Sequence, residues 1–189
     1  MLANQRFLRI ALSHALCIGA LLTFVSSAPQ LVVNALALPA SAFAALQVIG
    51  VASFIVMASQ SGRIARRLGN GGAVQLGAWL QLGLAAVLLA GAAFTTPPLP
   101  AVALFWAGFC GALAVRGPPA FGDALTLPPA QLGHASALLT LALLACGALG
   151  TQLVAPFMAG ASMVPLAAAM GAMLLVSVLL VLPYPAPPA

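Results

Sequence analysis

Acid–base, nucleophilic or metal chemistry would have to be assembled here from very few side chains. The chain has one acid, Asp123, two histidines, His14 and His134, three cysteines and six basic residues, all arginine. One carboxylate cannot supply the paired acids of a hydrolytic site, and one Asp with two His builds neither a Ser-His-Asp set nor a metal cluster. Cys17, Cys110 and Cys146 fit no zinc or redox spacing. All three fall in apolar runs, where Cys acts as a small packing residue. No Gly-Lys-Ser/Thr phosphate loop is present, so ATP is not expected to drive the protein. The residues therefore predict neither an enzyme nor a bound metal or cofactor.

What remains is a handful of ionisable groups set among apolar neighbours, where burial is costly and function is the default explanation. His14 lies inside the first apolar stretch, about 10 Å from its start by helix rise, and is a candidate proton-responsive group. Arg116 precedes Gly117-Pro118-Pro119-Ala120-Phe121-Gly122-Asp123. If the helix ends at Val115, Arg116 is a boundary anchor; if it runs through the prolines to about Leu125, Arg116 is intramembrane and Asp123 lies below it. The two are candidates for charge coupling, although a separation of seven residues is long for a direct pair. His134 reads as an interfacial residue. The neutral polar residues Gln47, Gln60, Gln81 and Gln152 also fall within apolar stretches.

The elements that must hold these groups follow from composition. Of 189 residues, 63% are hydrophobic and 4% charged, and the mean hydropathy is +1.17. Soluble domains carry about a quarter charged residues, so a membrane-embedded helical protein is the expected class, with the lipid bilayer as its main partner. Six apolar stretches run over about 7–28, 41–61, 72–94, 99–118, 133–157 and 164–182, followed by a Pro-rich tail, 183–189. Breaks at Pro29, Leu38-Pro39, Gly69-Asn70-Gly71-Gly72, Thr95-Thr96-Pro97-Pro98, Pro128-Pro129 and Pro165 carry turn chemistry. With the N-terminus in the cytoplasm, every arginine (Arg6, Arg9, Arg63, Arg66, Arg67, Arg116) falls on the cytoplasmic side, and both termini lie there. The pI of about 10.6 therefore reflects topology; scattered cations between apolar runs are no nucleic-acid footprint. Residues 1–29 share features with a signal peptide, but His14 interrupts the apolar core and the stretch has the length of a full span.

The segment after the second stretch reads Gly62-Arg63-Ile64-Ala65-Arg66-Arg67-Leu68-Gly69-Asn70. It resembles the loop signature of the major facilitator superfamily, G-x-x-x-D-R-x-G-R-R. Gly62, Arg67 and Gly69 match; Arg66 stands where the family prefers Asp, and Asn70 where it prefers a basic residue. Arg63 adds a further cation. Arg6-Phe7-Leu8 with Phe24-Val25-Ser26-Ser27-Ala28-Pro29 resembles the start of the seventh helix of drug-exporting members, and Ala135-Ser136-Ala137-Leu138-Leu139 the start of the eleventh. Together they are similar to the Bcr/CflA-type multidrug-efflux branch, over its C-terminal six helices only.

That resemblance implies an all-α membrane protein whose six transmembrane helices form half of a major-facilitator bundle, built from inverted 3+3 repeats. It implies a bacterial inner-membrane protein that exports small hydrophobic or cationic compounds, driven by a proton gradient without a cofactor. It also implies that an N-terminal six-helix half is missing, without which the chain is expected to be incompetent. The family arrangement places the first, second, fourth and fifth stretches beside the substrate path, making Phe24, Gln47, Trp106, Phe109 and Gln152 candidate cavity residues. The competing expectation is a non-transporting membrane scaffold or truncated remnant.

Overall fold

The computed structural model describes residues 4–160 and 162–184. Among them all regular structure is helical: α1 (Gln5–Asn34), α2 (Ser41–Phe94), α3 (Leu99–Ala124), α4 (Pro129–Val154) and α5 (Val164–Leu180), with a 3-10 turn, Ala155–Gly160, following α4. Among the described residues, four helices are long and apolar enough to cross a membrane, α4 counted with its 3-10 extension; α5 has 17 residues. In hydrocarbon a helix pairs its backbone groups within its own segment, and this chain has the matching composition.

Local chemistry explains the helix ends. Asn4 caps α1, its Oδ1 accepting from Phe7 N at 3.1 Å. Prolines occupy the first or second position of α3, α4 and α5, where no backbone donor is needed.

Several expected boundaries shift. The stretch 41–61 continues helically through the arginine segment, where Arg, Ala and Leu are strong helix formers. The expected four-residue break narrows to Gly69 alone, with φ 73° and ψ 164°, dividing α2 into arms 41–68 and 70–94. Glycine reaches that left-handed region without a Cβ penalty. The stretch 7–28 extends to Asn34 through Pro29, and 99–118 extends to Ala124 through Pro118 and Pro119. The stretch 133–157 begins earlier, at Pro129, and its end tightens into the 3-10 turn. Helix α5 stops at Leu180, before 182. Of the tail, Pro183 and Tyr184 are described; 185–189 lie outside the described residues.

Close packing depends on small residues, because lipid provides no hydrophobic drive between helices. An added Cβ at Gly147 would lie 2.6 Å from Leu22 Cδ1, and one at Gly19 2.7 Å from Cys146 Cβ, so α1 and α4 approach closely. At Gly77 it would lie 2.7 Å from Ala112 O and 2.6 Å from Arg116 Cβ, so α2 presses directly on α3. The main core joins Phe24 of α1, Leu46 and Ala85 of α2, Phe105 and Phe109 of α3, and Leu166, Met170 and Leu174 of α5. The first arm of α2 and the outer side of α4 expose Val48, Val51, Ile55, Leu141, Leu144 and Leu153, surfaces suited to lipid or to further protein.

Candidate functional site

Arg116 is completely buried. It lies two turns inside the C-terminal end of α3, about 12 Å by helix rise. Of the two alternatives open in the sequence, α3 takes the longer one. The guanidinium is enclosed by neutral acceptors from three other helices. Its Nη2 donates to Ser13 Oγ at 2.8 Å and Ser13 O at 3.4 Å, both nitrogens donate to Ser177 Oγ at 3.1 Å, and Nη1 donates to Gln81 Oε1 at 3.2 Å. Ser13 and Ser177 are themselves reciprocally bonded: each hydroxyl donates 2.8 Å to the other's carbonyl. Their oxygen lone pairs thus remain free for the guanidinium. Gln81 also accepts from Cys17 Sγ at 3.0 Å and donates to Phe109 O at 3.5 Å. Five residues thereby join α1, α2, α3 and α5. A buried ion is tolerable when its donors are matched in this way. Arg116 Nε alone has no partner.

Asp123 does not pair with Arg116. Its carboxylate accepts from Asn70 Nδ2 and from Tyr184 Oη, each at 2.8 Å, and lies 3.7 Å from Arg6 Nη2. Nearby, Arg9 donates to Leu180 O and Pro183 O at 2.9 Å, and Gln75 Nε2 to Val181 O at 3.0 Å, capping the end of α5. The start of α1, the Gly69 break, the end of α3 and the end of α5 therefore meet at one end of the bundle. Burial, then the hydrogen bond to Asp123, hold the Tyr184 phenol well above its ordinary pKa of 10. In the loop-motif segment, Arg63 Nη1 donates to Gln60 Oε1 at 3.1 Å, and Gly62, Arg66, Arg67 and Gly69 are exposed.

A groove runs between α1, the first arm of α2, and α3. Its upper part, a cavity of about 250 Å³, is lined by Leu21, Gln47, Gly50, Phe54, Trp106 and Leu113, among others. The lower part, about 290 Å³, shares Phe54 and Leu113 and adds His14, Gly117 and Phe121. Behind the upper part the aromatic rings are stacked: Phe24 on Trp106 at 4.3 Å between centroids, and Trp106 on Phe109 at 5.9 Å. The groove thus gathers Gln47, Trp106 and His14 on its lining, with Phe24 and Phe109 as its backing.

No family model, no curated protein and no solved structure matches this chain.

The site consequently rests on its own geometry. Three side chains of the groove lining each carry a covered atom without a hydrogen-bond partner: Trp106 Nε1, Gln47 Oε1 and His14 Nδ1. His14 sits edge-on to Phe121, with ring centroids 6.2 Å apart. Gln152, expected on the cavity, is instead exposed on α4 and does not line the groove. Its register turns it outward, since Gly150 is the α4 residue that faces Thr23 of α1. His134 is exposed near the start of α4.

A larger cleft of about 470 Å³ between α1 and α4 is lined by Phe7, Leu8, Leu12 and Leu141, among others, and offers no polar side chain to orient a ligand. Cys17, read as a packing residue, proves to donate to Gln81. The reading also missed Ser13 and Ser177. The available signal was Ser13 and Cys17, four residues apart and hence on one face of α1.

Proposed function

We propose that this chain forms one six-helix half of a secondary transporter of the major facilitator type, working in a bacterial inner membrane with both termini cytoplasmic. The observation that carries the reading is the groove between α1, α2 and α3, whose lining combines apolar walls with Trp106, Gln47 and His14. A largely apolar concavity with a few polar groups is the usual design of a small-molecule site.

Counting the two arms of α2 as separate crossings gives six. The start of α1, the Gly69 break and the ends of α3 and α5 then fall on one side, and their meeting through Arg6, Asn70, Asp123 and Tyr184 supports that count. The groove wall would face a second six-helix half, on the same or another polypeptide, across a central path. Small hydrophobic compounds would cross by alternating access, with the proton gradient as energy source. In this reading His14 couples protons, a role supported by its position on the groove lining. Arg116 supplies a fixed positive charge behind the wall, and Asp123 clamps the cytoplasmic end.

The test is export of a fluorescent lipophilic dye from cells carrying this chain joined to a matching N-terminal half. Export that collapses with a protonophore supports the reading; absence of gradient-dependent export in every pairing overturns it. One observation favours a second reading, a non-transporting scaffold or remnant: the chain's single acid, Asp123, is engaged at the end of the bundle rather than on the groove. That reading expects no flux in any pairing and rapid turnover of the lone chain.

A further inference from the structure

We infer that the groove selects neutral, elongated lipophilic molecules bearing a polar head, and disfavours lipophilic cations. The inference rests on the transporter reading for the direction the groove faces, and on three observations for its chemistry.

The first is the clustering of unsatisfied polar atoms. Trp106 and Gln47 line the upper cavity and His14 the lower, and each carries a covered atom without a partner: a donor, Trp106 Nε1, an acceptor, Gln47 Oε1, and His14 Nδ1. Unpaired buried polar groups are rare and call for a partner. Trp106 is 3% exposed, and its indole nitrogen rests against Gly50, where an added Cβ would collide with it. The Gln47 side chain is only half-buried, so its amide can turn toward an occupant. A hydroxyl or primary amide both donates and accepts, and so suits an acceptor at Gln47 and a donor at Trp106.

The second observation is length. Trp106 and Phe121 mark the two ends of the groove along α3, about 22 Å apart by helix rise, with Phe54 and Leu113 common to both cavities. The occupant is therefore an extended apolar body with its polar head at the Trp106 end and room for a second polar group near His14.

Charge is the third. No carboxylate lines either cavity. Leu113 and Gly117, both on the lining, flank Arg116 on α3, and that guanidinium is surrounded by neutral acceptors only. Its field in a low-dielectric setting opposes a cation in the groove and leaves a neutral molecule unaffected.

The experiment is photolabelling of the full chain in phosphatidylcholine nanodiscs with a diazirine-bearing benzyl alcohol and with its benzyltrimethylammonium counterpart. The alcohol is expected to label peptides containing residues 47–54 and 106–113, saturably, and at least tenfold more than the ammonium does. Gln47→Leu and Trp106→Phe should each reduce that labelling about tenfold, the loss expected for one hydrogen bond in a dry site. Gly50→Ala, which displaces the indole nitrogen, should reduce it as well. Label in the apolar α1/α4 cleft, at Leu12 or Leu141, serves as the internal standard and should not change, which separates a lost site from a misfolded chain. Equal labelling by the ammonium overturns the proposal. So does groove labelling insensitive to Gln47→Leu and Trp106→Phe, the result expected if only lipid chains enter. Selective labelling without gradient-driven export would leave this inference standing and remove the transporter reading; export of cations without selective labelling would do the reverse.

Discussion

Arg116 and Asp123 lie two turns apart on α3, yet they are accommodated by opposite means. Arg116 is sealed among hydroxyl, amide and carbonyl oxygens with no acid nearby. Asp123 is partly exposed and meets a cation, an amide and a phenol. An ion pair near water gains little, because the solvent competes for both partners. A buried cation has no such competitor, so a shell of well-placed neutral acceptors holds it and its loss leaves that shell unfilled. Depth, more than charge, separates an architectural node from an adjustable clamp.

The sharpest way to break the contrast is at the node. Arg116→Ala removes the guanidinium, strands Gln81 Oε1 with only Cys17 as donor, and opens a cavity where a large side chain was fully buried. We expect a loss of about 3–5 kcal/mol in reversible unfolding in mixed micelles. Arg116→Met tests the cause. Ser13 and Ser177 keep their reciprocal bonds without the arginine, and methionine fills most of the volume, so this variant should cost about 2 kcal/mol less than alanine. Equal losses would place the cost elsewhere than in the cavity.

Next in size is Gly77→Ala. The new methyl meets Ala112 O at 2.7 Å, a backbone atom that cannot rotate away, and Arg116 Cβ at 2.6 Å. Forcing α2 from α3 should cost about 1–3 kcal/mol. It should also lengthen the Gln81–Arg116 bond, which infrared shifts of an isotope-labelled Gln81 amide would register. The same substitution at Gly83, which has open space around it, should be close to neutral.

These features were unequally legible in the sequence. The helical class and the approximate positions of the apolar stretches follow from runs of hydrophobic residues, which define helix cores well. Ends were missed wherever a polar but helix-favouring segment, 62–68, carried the helix past its apolar limit, or where Pro29, Pro118 and Pro119 were absorbed. Ionisable residues announce themselves, so Arg116, Asp123 and His14 were visible. Their partners were not: Ser13, Ser177 and Cys17 are short side chains that also serve as packing residues, and only the crossing of four helices gives them a common target. Gln47 and Trp106 share a groove because α2 and α3 are in contact, a fact absent from either segment alone.

At the clamp the effects should be smaller. Asp123→Ala removes the acceptor shared by Asn70, Tyr184 and Arg6, and about 1–2 kcal/mol should be lost. Raising salt to about 0.5 M should weaken the clamp by well under 1 kcal/mol, while leaving the Arg116 node unmoved because its charge is shielded from ions. Salt sensitivity that persists in Asp123→Ala would contradict this division.

The smallest effect should appear at high pH and belongs to Tyr184. Burial and the bond to the Asp123 carboxylate both favour the protonated phenol, so its pKa in the folded protein exceeds the ordinary 10. The folded chain then holds a proton that the unfolded chain releases above pH 10, and stability falls as pH rises beyond that value. Below pH 10 the contribution is complete and the melting temperature should not respond to this group. Tyr184→Phe removes one of three contacts to Asp123, should cost less than Asp123→Ala at pH 8, and should abolish the decline above pH 10. A decline of equal slope in Tyr184→Phe would assign it to another group, whereas a flat profile in the parent would mean that burial and Asp123 together do not raise the phenol's pKa.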